Sequence, residues 1–218
     1  MSENSNKEKN MIKIVLIGNS GVGKTCISQR YVNNSYIDQK ECSTIGSSYF
    51  VKNGYFNGKE YTLDIWDTAG QEKYRSIGKM FYKNANIVLF VYDITNKKSF
   101  LDLKNVWYDE LIKTGEKKAV MAVIGNKNDM FLKEEVDEEE AREWADEIGA
   151  IFGLVSAKTG DCINCLFKDI LNEYFSPGFM SQLGKKVGNK IIGDENNHKS
   201  SCCWNRIINK FFFFSIVL

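Results

Sequence analysis

The 218-residue sequence contains one proline, Pro177, one histidine, His198, and almost no net charge, +1 at pH 7. With a single proline, nothing before residue 177 forces a break, so the chain up to there can run as uninterrupted strands and helices. Pro177 marks the expected end of the folded unit. The balanced charge supplies no electrostatic reason to bind nucleic acid, so no nucleic-acid partner is expected and any anion must be bound locally. His198 lies in a polar stretch and reads as a solvated side chain. The N-terminus, MSENSNKEKN, has no apolar signal segment, and the six cysteines are irregularly spaced. A secreted disulfide framework is excluded on both grounds, and a reducing, cytoplasmic setting is expected. Cys162 and Cys165 form a C-x-x-C without a second ligand pair, so they read as packing at the start of an apolar helix, not as a zinc site. No apolar run approaches the ~20 residues needed to span a bilayer; Phe211 to Leu218 is far shorter.

With 43% hydrophobic and 26% charged residues, the chain suits one well-buried α/β domain plus tails. The expected division is a polar arm at 1–10, a domain at 11–176, a flexible linker rich in Gly, Asn, Lys and Ser at 177–201, and a cysteine pair with an apolar tail at 202–218. Met11 to Ile17 reads as a buried strand running into a glycine-rich turn, and Thr25 to Val32 as a helix. Asn33 to Ser47 is polar and aperiodic, as a loop is. Tyr49 to Phe56 and Lys59 to Trp66 flank Asn57-Gly58, a strong hairpin signal, although Gly54 weakens the first strand. Ile87 to Tyr92 and Ala119 to Gly125 are apolar almost throughout, as strands covered on both faces are, and Ile151 to Val155 is a weaker strand. Ser99 to Lys113, Asp137 to Ile148 and Asp161 to Phe175 read as helices. Asp137 with Glu140 forms a variant capping box, and Gly149 closes that helix. Alternating strands and helices predict a mostly parallel sheet with helices on both faces and ligands at the carboxyl ends of the strands.

Gly18-Asn19-Ser20-Gly21-Val22-Gly23-Lys24-Thr25 fits G-x-x-x-x-G-K-[ST], and it lies between a buried strand and a helix, where the mechanism of that motif needs it. Its glycines let backbone N–H groups turn around phosphate oxygens, the helix N-terminus adds positive potential, and Lys24 brings an ammonium to the β- and γ-phosphates. The Thr25 hydroxyl is a Mg²⁺ ligand in this reading. Asp67-Thr68-Ala69-Gly70-Gln71 follows the second hairpin strand; there a carboxylate can reach the metal through water and the Gly70 amide can bond the γ-phosphate.

These segments resemble the Rab branch of the Ras-like small GTPases from about Ile12 to Phe175. Trp66 to Tyr74 is similar to the second switch of Rab proteins, and Ser43-Thr44-Ile45-Gly46 to the first. The resemblance implies a small G-protein fold of the P-loop NTPase class, with a mostly parallel six-stranded sheet. It implies a GTP/GDP switch with slow hydrolysis, Ser20 to Cys26 around the phosphates, Thr44 on Mg²⁺ and the γ-phosphate, and Gln71 orienting the attacking water. Asn126-Lys127-Asn128-Asp129 and Ser156-Ala157-Lys158, each after an apolar strand, resemble the base-reading loops. An aspartate at position 129 can accept two hydrogen bonds from guanine that adenine cannot supply. The stems of Lys127 and Lys158 are then expected along the base, the Ala157 amide on the guanine oxygen and Tyr36 over the base. A non-cycling scaffold is disfavoured by the presence of Gln71, and a P-loop kinase or ATPase by the two base-reading loops.

Tyr49, Trp66 and Phe81 align with the aromatics that Rabs present to effectors, and Ser47-Ser48-Tyr49-Phe50 leans toward early-endosomal members. The implied partners are an exchange factor, a GTPase-activating protein, a Rab escort protein or GDI, and effectors, at the cytosolic face of endomembranes. Ser2 excludes the glycine required for Arf-type myristoylation. Rabs usually end in paired, geranylgeranylated cysteines, whereas here Cys202-Cys203 precedes Trp204 to Leu218. Prenylation acts at or near the chain end, so the chain as written is a poor substrate for a lipid anchor. Two explanations stand open: translation past the true end of a doubly prenylated protein, or a real extension whose membrane attachment relies on palmitoylation or on partners.

Overall fold

The computed structural model describes residues 10–36, 47–56, 58–68, 81–113 and 119–184. Six strands form one sheet: β1 Asn10–Ile17, β2 Ser47–Phe56, β3 Lys59–Thr68, β4 Ile87–Asp93, β5 Val120–Asn126 and β6 Ile151–Leu154, in the order β2-β3-β1-β4-β5-β6. Among the described residues only the β2–β3 pair is antiparallel. The mostly parallel α/β architecture read from the alternation of elements is the one found. Every residue of β4 is buried, because helices cover both of its faces. By contrast β2, at the edge, alternates exposed and half-buried positions. Gly54 has a packing reason: a Cβ there would stand 2.4 Å from the hydroxyl of buried Tyr61, its partner across the ladder.

Two cores sandwich the sheet. On one face Ile12, Ile14, Leu16 and Leu89 pack with Ile27 of α1 (Lys24–Asn33) and with Phe167 and Ile170 of the helix Ile163–Tyr174. On the other, Val15, Ile17, Phe90 and Tyr92 meet Phe100, Trp107 and Trp144. Full burial of each such side chain contributes about 1.5–3 kcal/mol, so the site is carried on a rigid frame.

Helical bounds follow from caps. Asn96 caps α2 (Lys97–Asp102) by accepting from the Ser99 N–H at 3.1 Å. The expected single helix over 99–113 is instead α2, a π turn (Leu103–Trp107) and α3 (Tyr108–Lys113). Asp137 caps α4 (Glu138–Glu147), accepting from the Glu139 and Glu140 N–H groups at 2.9 and 3.1 Å. The Glu140 carboxylate, assigned to a capping box, pairs with Lys97. A short 3₁₀ segment, Asn128–Lys133, had no signal in the hydrophobic pattern. Beyond α5 (Ile163–Tyr174), Pro177 starts α6 (Pro177–Gly184) where linker was expected: Pro suits the first helical position, and the Ser176 hydroxyl oxygen accepts from the Phe179 N–H at 3.2 Å. Cys162 is half-buried and Cys165 exposed, both as free thiols, so packing explains only the first.

The register brings Asp67, Asp93 and Asn126 to one edge of the sheet: Leu16 pairs with Asp67, Ile17 with Phe90, and Asp93 with Asn126. That carboxyl-terminal edge is where the motif residues collect.

Candidate functional site

The phosphate loop joins the end of β1 to the start of α1. At Gly18 a Cβ would lie 2.1 Å from the Val91 carbonyl oxygen, and φ is +142°, so no side chain fits. At Gly23, φ is +96° and a Cβ would lie 2.2 Å from Asn126 Nδ2. Both glycines are thus required by close neighbours as well as by the turn. The Lys24 ammonium is buried and donates to the carbonyls of Gly18 at 2.8 Å and Asn19 at 2.9 Å. Burial pulls its pKa down to about 8, with the nearby Asp67 charge opposing.

Asp67 is fully buried at the end of β3, which Thr68 ties to β1 by donating its hydroxyl to the Leu16 carbonyl at 2.7 Å. Burial raises the Asp67 pKa, and the Thr25 hydrogen bond and the Lys24 charge draw it back. Asp67 Oδ2 accepts from the Thr25 hydroxyl, while the buried Oδ1 has no hydrogen-bond partner among the described residues. An orphaned carboxylate oxygen beside a hydroxyl offers oxygen ligands of the kind a hard divalent cation takes. Among the described residues no group of three His, Cys, Asp or Glu could hold a metal alone. The other ligands would have to come from phosphate and water, which is how Mg²⁺ is commonly held.

Across the cleft, one side chain joins three loops. Asn126 Nδ2 donates to the Val22 carbonyl at 2.8 Å, and its Oδ1 accepts from the Ala157 N–H at 3.1 Å. Ser156 donates its hydroxyl to Asp129 Oδ1 at 2.6 Å, fixing the carboxylate. The Ala157 amide expected on a guanine oxygen is therefore engaged with Asn126. The Lys127 ammonium pairs with Asp93 at 2.6 Å, and Lys158 is exposed. Tyr36 is half-buried against the α1 side of the core. Thr44, Gly70, Gln71, Cys202 and Cys203 lie outside the described residues, as does Asn57 of the hairpin turn.

Arg30 escaped the sequence reading. From α1 it donates to the carbonyls of Ala157 at 2.9 Å, Lys158 at 2.7 Å and Asn34 at 3.0 Å. Its guanidinium thereby holds the 156–158 loop against the helix that begins at Lys24. No local signal marks this role, since Ala157 and Lys158 are more than 120 residues away. The three aromatics do meet: Tyr49 and Trp66 ring centres are 5.0 Å apart and those of Trp66 and Phe81 5.6 Å, with Tyr49 half exposed.

The Ras family profile matches residues 13–176. Among relatives, Ras-related protein Rab-22A of Homo sapiens is 38% identical over 192 residues, covering 88% of this chain and 97% of that protein. Rab5A of Oryza sativa subsp. japonica is 39% identical over 205 residues, 93% of this chain and all of that protein. Rab-30 of Homo sapiens is 34% identical over 195 residues, 89% and 95% of the two chains. The chain belongs to the Rab family of small GTPases. This Rab binds GTP and GDP, hydrolyses GTP to GDP, and acts as a switch in membrane trafficking. As a Rab it works with exchange factors, activating proteins, GDI and effectors at endomembranes. No helix among the described residues is long and apolar enough to cross a membrane.

Proposed function

We propose that this Rab holds guanine nucleotide in the cleft between the 18–25 loop and the loops at 126–129 and 156–158. The observation that carries the reading is the unpartnered, buried Asp67 Oδ1 next to Thr25 and Lys24 at the end of the phosphate loop. Backbone N–H groups of residues 20 to 26 cradle the phosphates. Lys24 leaves the Gly18 and Asn19 carbonyls for the β- and γ-phosphates. Thr25 and Asp67, with Thr44 of the first switch, hold Mg²⁺, which when bound neutralises phosphate charge. Asp129, steadied by Ser156, reads the guanine ring N–H and exocyclic amine, and the guanine oxygen competes with Asn126 Oδ1 for the Ala157 N–H. The stems of Lys127 and Lys158 border the base, and Tyr36 covers it. Gly70 bonds the γ-phosphate.

Gln71 orients the attacking water, and no arginine finger is assigned within the chain. Intrinsic turnover is accordingly slow, on the order of 10⁻⁴ to 10⁻² s⁻¹, and an activating protein supplies the rest. Gln71→Leu should slow single-turnover hydrolysis while leaving GTP affinity within about 3-fold, since phosphate and base contacts remain. Unchanged single-turnover kinetics in that variant would refute the assignment.

Tyr49, Trp66 and Phe81 form the surface that effectors read, and the Ser47-Ser48-Tyr49-Phe50 segment supports an early-endosomal assignment. Membrane attachment runs through lipid on Cys202 and Cys203, prenyl groups if the native chain ends at Cys203 and palmitoyl groups if residues 204–218 are retained. Intact mass of the protein purified from its own cells checks this: two prenyl groups support it, and unmodified cysteines contradict it.

A further inference from the structure

We infer that Asn19 is a positioning residue for the nucleotide's phosphates, held between Trp107 and Asp102 by the π turn that follows α2. The inference rests on the phosphate-site reading above. Asn19 Oδ1 accepts from the Trp107 indole N–H at 2.8 Å, and its Nδ2 donates to Asp102 Oδ2 at 2.6 Å. Both halves of one side-chain amide are therefore engaged, 83 and 88 residues away in sequence.

The π turn is what makes this possible. At 100° per residue, side chains five apart on a regular α-helix point about 140° away from each other. A π turn bonds each N–H to the carbonyl five residues back and so stacks such residues, as the Tyr108 N–H does with the Leu103 carbonyl. Asp102 and Trp107 thereby share a face that one amide can bridge. Trp107 is buried, which fixes the direction of its N–H. Were residues 102 to 107 wound as a regular α-helix, the two side chains would diverge and Asn19 could reach one partner but not both.

Apart from the Asn126 bond to the Val22 carbonyl, the loop has few other holds. Gly18, Gly21 and Gly23 carry no side chain, Ser20 is exposed, and Val22 is buried in the α1 core. Asn19 also supplies a carbonyl on which the Lys24 ammonium rests, at 2.9 Å. Freeing its side chain enlarges the set of loop conformations, and apparent affinity falls by the fraction that remains competent to bind phosphate.

The test is GDP dissociation, followed by displacement of a fluorescent GDP analogue from the full chain. Asn19→Ala should speed release about 10-fold, as expected for two lost hydrogen bonds, and Trp107→Phe, which loses the N–H, about 3-fold. Asn19→Asp sets two carboxylates against each other and should also speed release. Asn19→Asp with Asp102→Asn exchanges donor and acceptor and should return the rate to within about 2-fold of the unmutated protein. Unaltered GDP release in Asn19→Ala overturns the inference. So does fast release that the double exchange fails to correct, which is general damage to the loop. If Trp107→Phe does not fold, the exchange pair still decides. An unmutated protein that binds no GDP overturns the phosphate-site reading itself, an outcome distinct from both.

Discussion

The Asn126 side chain donates to the Val22 carbonyl at 2.8 Å, across 104 residues of sequence, and its other end accepts from the Ala157 amide. One buried amide thus ties the loop at the end of β5 to the phosphate loop and to the loop after β6. The 18–25 loop and the loops at 126–129 and 156–158 are thus one hydrogen-bonded unit.

Asn126→Ala should therefore damage fold and binding together. It removes two hydrogen bonds and leaves a buried carbonyl and amide unpaired, a loss of about 2–4 kcal/mol. Urea denaturation should show that loss, with GDP affinity falling in parallel. A variant as stable as the parent would contradict the bridging role.

Lys24 makes stability depend on pH in a definite direction. Its folded pKa, about 8, lies below the ordinary 10.5, so the unfolded chain binds more protons between these values. Stability of the nucleotide-free protein therefore rises with pH across that window, where the cost of burying the ammonium is relieved. Relative to a Lys24→Met control, the gain should reach about 3 kcal/mol by pH 10.5. In the GDP complex phosphate restores the proton, and the slope should flatten. Denaturation curves at pH 8, 9 and 10 check this, and parallel pH profiles for protein and control would refute it.

Asp129→Asn exchanges an acceptor for a donor against the exocyclic position of the base. Preference should shift from guanine toward xanthine nucleotides, with stability changed by only about 1 kcal/mol through the Ser156 contact. Competition of XDP against GDP measures the shift. Retained GDP preference would remove Asp129 from its role.

Much of this site was legible because its chemistry is local. The glycines, Lys24 and Thr25 sit within eight residues between a strand and a helix, and uninterrupted apolar runs announced β4 and β5 as buried parallel strands. What remained hidden depends on residues distant in sequence. Arg30 reads as a surface residue of a helix until the fold places Ala157 and Lys158 beside it. The π turn is invisible to a periodicity argument, because α2 and α3 keep the apolar spacing of a helix while one extra residue swings Trp107 toward Asn19. Pro177, which reads as a break, instead begins a helix, because proline suits the first helical position and Ser176 accepts from the Phe179 N–H.

The central claim is that this cleft is built for guanine nucleotide with a hard divalent cation. Equilibrium competition of GDP against ADP, with Mg²⁺ and then with EDTA, tests it most directly. The account predicts GDP binding at least ~10⁴-fold tighter than ADP, since adenine leaves the Asp129 carboxylate unpaired, together with a clear loss of affinity in EDTA. Equal affinities for the two nucleotides, or GDP binding indifferent to Mg²⁺, would contradict it.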